Sequence, residues 1–572
     1  MNMVPKRIIK NVPIVIIVLT IWQVFIPCPL RAQTSAFNFG SVSVGTTSSS
    51  QTINVSFTQN GTLNSVNVVM EGVPNADFAL VDAESCIVGA VFAAGQNCSV
   101  DVSFTPTFPG LRMGAVVLSD AGGNTLGLQY ISGQGASPQV AFREATTQQI
   151  VNGLIDPEFL TSDNAGNLYI ADNDDTVNKP RIIKIPPGCR ASTCQTIVAS
   201  SSNGIGGALG IAVDGGGNIY VSDESTNQVV MIPPGCTTAA CTQIIASQAN
   251  GEIISPRQLA VDANGDVFIA DLDNSRVVEV PVGCTNKACQ IPMGTDLNVV
   301  FGVAVDPAGN VFISHFGDPS FLNGQVVKLP PGCTGGTCQS IVATQLIEPR
   351  GIRLDAADNL YIAHDANIVE VSAADGSQKT WEPGFLFGSE GNPTDVAIGP
   401  EGNLFIADPN NSQILEADRA DPPKLFFAPT SFGTTSAPQL LTIENIGTQT
   451  LDLLSITPGL DTALHPSTTT CTGGSVVAAG ASCVLAIQFA PTVGGTNNSG
   501  VTLVDDTLNH SNATQVIQVT GFSNTSQTIT FSALPVSVNL GISPIALQAV
   551  ASSGLPITFT VTGGLLQFPV RS

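Results

Sequence analysis

The sequence predicts an all-β chain: a six-bladed β-propeller carried between two immunoglobulin-like β-sandwiches. Three observations predict it. One phrase recurs six times between residues 160 and 410. Short runs rich in Val, Ile, Thr and Phe alternate with Gly, Asn, Pro and Ser turns, and no long stretch shows the 3.6-residue apolar period of a helix. Two segments flanking the repeats share a pattern of strands and paired cysteines.

The chain opens on a secretion signal, residues 1–32. Lys6, Arg7 and Lys10 precede the apolar stretch Val12 to Ile26, and Leu30-Arg31-Ala32 offers a small residue ahead of a cut before Gln33. The stretch is short for a membrane span, which needs about 20 residues. No membrane insertion is therefore expected after cleavage, although an uncleaved anchor stays open. Without the signal, twelve of the thirteen cysteines remain, in close pairs: Cys86 with Cys98, Cys189 with Cys194, Cys236 with Cys241, Cys284 with Cys289, Cys333 with Cys338 and Cys471 with Cys483. An even, locally paired set on an exported chain reads as disulfides. Zinc would need two such pairs, or Cys with His, at one point. The expected location is secreted, periplasmic or cell-surface.

Residues 34–136 hold about seven short strands, from FNFGSVSVG to LGLQYISGQG, the number of an immunoglobulin-like sandwich. Residues 424–521 repeat the plan. In both, a cysteine is followed twelve residues later by a second, then by an apolar strand ending in Pro-Thr (FTPT and FAPT).

Between them, 140–421 is the propeller. The six copies read LTSDNAGNLYIAD from Leu160, IAVDGGGNIYVSD from Ile211, LAVDANGDVFIAD from Leu259, VAVDPAGNVFISH from Val303, IRLDAADNLYIAH from Ile352 and VAIGPEGNLFIAD from Val396. A period of 44–51 residues with three or four strands per copy is that of a propeller blade. Gly166, Gly217, Gly265, Gly309 and Gly402 supply the left-handed position of the hairpin turn, and Asp358 takes it in the fifth copy. The sixth copy lacks an outer strand, and Gln148-Gln149-Ile150-Val151 matches the missing phrase. The N-terminal strand is expected to complete the sixth blade near Ile414 and close the ring. Residues 523–572 are expected to be a truncated module or a tail.

On these residues the chain resembles known families. The flanks, through the twelve-residue cysteine step and FTPT/FAPT, resemble the choice-of-anchor D type of Ig-like domain, related to Hydin-type modules. The middle, through IAVDGGGNIYVSD, resembles NHL repeats. The segment from QTITFSALP resembles the start of another bacterial Ig-like repeat. The resemblances imply structural or recognition roles, a minority of NHL relatives being enzymes.

The second strands end at Asp172, Asp223, Asp271, His315, His364 and Asp408, on the face where propeller loops usually bind ligands. Two readings compete for these residues. Each Asp caps the following loop through its backbone, and His does the same less well. Alternatively His315 and His364, with nearby acids, hold a divalent cation in the channel, as the resemblance to NHL-like lyases and gluconolactonase-like propellers implies. Arg257 and Arg350 precede first strands on the same face and either grip an anionic or peptide ligand or support a neighbouring carboxylate. Asp262-Ala-Asn264-Gly-Asp266 mimics a calcium loop but coincides with the hairpin turn of every copy.

The net charge is −24, about −28 once Lys6, Arg7, Lys10 and Arg31 leave with the signal. That disfavours nucleic acid and anionic membranes. The expected function is an exported, non-enzymatic binding scaffold without a cofactor, whose propeller face recognises an extracellular protein, peptide or glycan. The alternative is a metal-dependent lyase or lactonase using His315 and His364.

Overall fold

A computed structural model describes residues 35–151, 153–173, 179–317, 322–381, 392–524, 527–533, 546–552 and 556–560. These fall within one compact unit, Ser35–Ser572. Residues 1–32, where a secretion signal is expected, lie outside the described residues, as does much of 523–572. Among the described residues no helix is long and apolar enough to cross a membrane.

Five of the six repeats fold around a turn aspartate; the sixth has Gly399 there, whose carbonyl accepts from the Gly402 amide at 2.8 Å. In the first copy Asp163 Oδ1 accepts from the amides of Ala165 (3.1 Å) and Asn167 (2.8 Å), and Oδ2 accepts from Asn167 Nδ2 (2.7 Å). Asp214, Asp306 and Asp355 repeat the pattern with Asn218, Asn310 and Asn359. The Asp-to-Asn spacing of four therefore holds the hairpin shut from inside. The left-handed position falls as expected on Gly166 and its equivalents, with Asp358 at φ +64°. Asp262 closes the third turn in the same way, accepting from the amides of Asn264 and Asp266, both at 2.9 Å. The calcium-like string is thus a hairpin turn.

The turns join strands into a β-propeller. Sheet one is Pro157–Ser162, Leu168–Asp172, Arg181–Ile185 and Thr196–Ser200; sheet two is Ala208–Val213, Ile219–Asp223, Gln228–Ile232 and Gln243–Ser247. Sheet three is Pro256–Val261, Val267–Asp271, Arg276–Val280 and Ile291–Met293; sheet four is Val300–Val305, Val311–His315, Gly324–Leu329 and Ser340–Leu346. Sheet five is Pro349–Leu354, Leu360–His364, Asn367–Val371 and Gln378–Trp381. Sheet six has Asp395–Ile398, Leu404–Asp408 and Gln413–Asp418, and takes its outer strand, Thr146–Gln149, from upstream. Gln148 lies opposite Glu416 and Gln149 opposite Leu415, and the Ile150 amide donates to the Ile414 carbonyl at 3.1 Å. The expected closure is present, beginning two residues earlier than 148. First strands pack on first strands around the ring, with Asp395–Ile398 returning against Pro157–Ser162. Buried apolar residues fill the gaps between neighbouring sheets.

Each flank is a pair of facing sheets. In both, the first strand (Phe37–Ser43 or Leu425–Ser431) runs parallel to the last (Thr125–Ala136 or Ala513–Asn524). The flank disulfides, Cys86 to Cys98 and Cys471 to Cys483, lie against the two cores. The short bridges Cys189 to Cys194, Cys236 to Cys241, Cys284 to Cys289 and Cys333 to Cys338 each staple the loop between the third and outer strands of sheets one to four. All six expected pairs are therefore bonded, which fits an oxidising compartment. One boundary differs from expectation. Val140–Phe142, assigned by sequence to the start of the propeller, pairs with Gln439–Asn445 and adds a strand to the second flank. Three residues carry no periodic signal that could name their partner. Ser523 and Asn524 end the last strand of the second flank, and beyond them the described residues include the two-stranded sheet Ile529–Phe531 with Ala549–Ala551.

Candidate functional site

The flanks dock on the hairpin-turn side of the ring. From the first flank, Arg112 donates to Asn164 Oδ1 (3.0 Å) and to its carbonyl (2.7 Å), while Asp77 holds Arg112 Nε at 2.5 Å. Tyr130 donates to the turn carboxylate of Asp214 at 2.7 Å. From the second, Glu444 accepts from buried Arg419 at 2.5 Å, and Arg419 donates to Tyr361 at 2.8 Å. The Ser372 hydroxyl donates to the Gly480 carbonyl at 3.1 Å. The opposite face, where first strands begin and second strands end, carries the residues singled out in the sequence.

The carboxylates at the second-strand ends are internal ties. Asp223 accepts from the Gly206 and Gly207 amides (2.8 and 3.0 Å) and from Ser225 Oγ (2.7 Å). Asp172 and Asp271 likewise hold the loop before their own sheet, through Ile155 and Asp156 or through Ile254, and each pairs with an arginine, Arg181 or Arg276. Asp408 accepts from Asn411 and Gln413. All four are fully buried. The imidazoles do not repeat these ties. His315 Nδ1 and both ring nitrogens of His364 are buried with no hydrogen-bond partner among the described residues. Burial pushes the His315 pKa down to about 4 and lowers that of His364, so both rings are neutral near pH 7. Among the described residues no three His, Cys, Asp or Glu side chains converge to hold a metal ion.

The mouth of the ring is set by the second residue of each first strand in sheets one to five and by Thr394 beside sheet six. Charged groups alternate with neutral ones: Glu158, Leu209, Arg257, Phe301, Arg350 and Thr394. Close packing fixes the arginines. Ser222 and Ser314 donate to the carbonyls of Arg257 (2.8 Å) and Arg350 (2.6 Å). A Cβ on Gly210 would lie 2.0 Å from the Arg257 carbonyl oxygen, so only glycine lets the strands meet there. The Arg257 guanidinium lies 5.7 Å over the Phe301 ring and binds Glu224 through both terminal nitrogens, at 3.0 and 2.7 Å. Arg350 binds Glu348 at 3.0 Å. The Nε of each arginine is buried with no hydrogen-bond partner among the described residues. Across the mouth, burial and nearby Asp156 push Glu158 up to about 7, against the pull of Arg257 and Arg350.

Beneath the mouth the channel is filled by the chain itself. Phe159 of sheet one reaches Phe301 of sheet four at 5.6 Å between centroids. Gln258 of sheet three donates to Asp395 Oδ1 of sheet six at 2.7 Å and accepts from the amides of Val303 (2.8 Å) and Ile352 (3.1 Å). Asp395 also accepts from the Leu160 amide at 3.2 Å, and burial raises its pKa to about 6 against the opposing charge of Arg353. Sequence reasoning found the two arginines and missed Glu158, Phe301, Gln258 and Asp395. Aligning the first strands position by position would have found Glu158, Gln258 and Asp395, because polar residues at these places interrupt otherwise apolar runs; Phe301 is apolar and gives no such signal.

No protein-family model matches the chain, and no curated protein matches it. Among solved structures, a streptogramin B lyase is 12% identical, with a TM-score of 0.36, over 49% of this chain and 98% of that one. A PQQ-bound aldose sugar dehydrogenase from Streptomyces coelicolor is 16% identical, with a TM-score of 0.37, over 50% and 99%. A putative gluconolactonase is 13% identical, with a TM-score of 0.36, over 48% and 92%. At such identities and TM-scores these likenesses say nothing of activity or ligand.

Proposed function

We propose that the chain is an exported binding protein: a six-bladed, NHL-type propeller whose face recognises an extracellular protein, peptide or glycan, with Ig-like modules of the choice-of-anchor D type as spacers. The observation that carries this reading is the division of faces. Both flanks occupy the hairpin-turn side, and the other side presents a floored cup edged by Glu158, Arg257 and Arg350. A closed floor suits holding a polar group, and guanidinium groups braced by Glu224 and Glu348 are pre-oriented to do so. The test is a screen of the mature protein on peptide and glycan arrays, followed by the Arg257→Ala/Arg350→Ala variant. Ligands found with the parent should weaken by about tenfold or more in the variant. Undiminished binding by a folded variant would move recognition off this face.

A second reading, a metal-dependent lyase or lactonase, is favoured by the unpartnered nitrogens of His315 and His364. Neutral imidazoles are competent metal ligands or bases. Metal analysis of the secreted protein and of the His315→Ala/His364→Ala variant tests it. Metal in the parent that is absent from the variant supports the enzyme, and a metal-free parent after exposure to divalent cations removes it.

A further inference from the structure

One position of the repeat is unbalanced in a single sheet. The third strand places one residue opposite the aromatic ring of the second: Lys184 opposite Tyr169, Met231 opposite Tyr220, Glu279 opposite Phe268, Lys328 opposite Phe312, Glu370 opposite Tyr361 and Glu416 opposite Phe405. In sheets one and four this residue is lysine. Its ammonium lies 5.0 Å over the ring centroid and 3.9 or 3.7 Å from the turn carboxylate, Asp163 or Asp306. Ring and turn aspartate together thus form a seat for an ammonium group, and two sheets of this molecule show it filled.

The remaining sheets balance the position differently. In sheets five and six it is glutamate, and Arg143 meets Glu370 while Arg190 meets Glu416. In sheet two it is the uncharged Met231, and Asp214 accepts from Tyr130 and Tyr220. Sheet three keeps the seat without the cation. Phe268 and Asp262 stand in place, Glu279 replaces the lysine, and among the described residues no Lys or Arg pairs with Glu279 or Asp262. A cavity of about 380 Å³ opens there, with Leu111, Met293, Pro307 and Pro331 among its walls. Two further carboxylates line it. Asp266 accepts from the Val282 amide at 2.8 Å, and Asp306 has Lys328.

We propose that this cavity binds an alkylammonium group, the charge over Phe268 between Asp262 and Glu279 and the methylenes along Leu111, Met293 and Pro331. A long apolar stem ending in one compact charge matches apolar walls that end in carboxylates and a ring face. The seat lies on the hairpin-turn side, so the proposal stands apart from the function assigned to the opposite face.

The test is calorimetric titration of the mature protein at about pH 8, where carboxylates are ionised. The probes are Nα-acetyl-lysine methylamide and 1,5-diaminopentane. Binding of the lysine derivative points to a partner's side chain, and binding of the diamine alone points to a free amine. Glu279→Lys should abolish binding by supplying the ammonium internally and should raise the unfolding midpoint by about 2 °C. Glu279→Gln should weaken binding about tenfold. The proposal is overturned if neither probe binds the parent, if Glu279→Gln binds as the parent does, or if calcium chloride binds in place of both amines. The Gln variant keeps the test decisive should the Lys variant fail to fold.

Discussion

Asp223 shows what one buried carboxylate does in this fold. It gathers three backbone amides, those of Gly206, Gly207 and Thr226, and the Ser225 hydroxyl, so truncation strands donors away from water. Asp223→Ala should cost about 2–3 kcal/mol, read as a lower urea midpoint with unchanged slope. A cost under about 0.5 kcal/mol would mean that water replaces the carboxylate. Gly210→Ala is a second residue-scale prediction. Its Cβ would collide with the Arg257 carbonyl, so the variant should lose about 1–3 kcal/mol and also shift Arg257. What was legible at this scale follows from chemistry. The sequence marked the second-strand ends, because Asp and His interrupt apolar strands. It could not say whether His315 and His364 would find the partners that the aspartates find, since those partners come from loops whose conformation no local pattern encodes.

Closure is the decisive feature among the elements. Thr146–Gln149 completes sheet six and leaves neither the last sheet nor the first with a missing neighbour. Replacing both Thr147 and Gln148 by proline removes at least one ladder amide, since successive amides of a strand face opposite sides. Hydrogen exchange at Ile414–Asp418 should then quicken while sheets two to four keep their protection. Uniform loss of protection would show instead that the ring opens as one unit. The disulfides act more weakly. Cys236 and Cys241 are five residues apart, so replacing both by serine should cost no more than about 2 kcal/mol. All six bridges were legible, because each joins cysteines that are near neighbours in sequence. The closing strand was readable because it repeats the outer-strand phrase of other copies. Val140–Phe142 was not, because strand exchange between domains leaves no trace in a three-residue run.

Across the whole molecule, burial of carboxylates sets the response to pH. Glu158, Glu279 and Asp355 are pushed to about 7, and Asp262, Asp358, Asp395 and Asp505 to about 6, with burial the leading cause for each. In the unfolded chain these groups titrate near 4. Between about pH 4 and 7 the folded state therefore binds more protons than the unfolded one, and stability falls as pH rises through that window. His315, lowered to about 4, and His364, lowered in the same direction, oppose this, since their folded-state contribution is lost on acidification below about 6.5. Seven raised carboxylates outweigh two lowered imidazoles, and relief of repulsion in a chain of net charge −24 acts with the carboxylates. The urea midpoint should accordingly rise as pH is lowered from about 8 to 5.5 at fixed ionic strength. The Asp395→Asn variant should flatten the rise in part, because its amide can keep one carbonyl acceptor on the channel axis without a proton. A midpoint that stays level or falls on acidification would mean that these carboxylates are ionised in the folded protein, with water reaching them inside the ring.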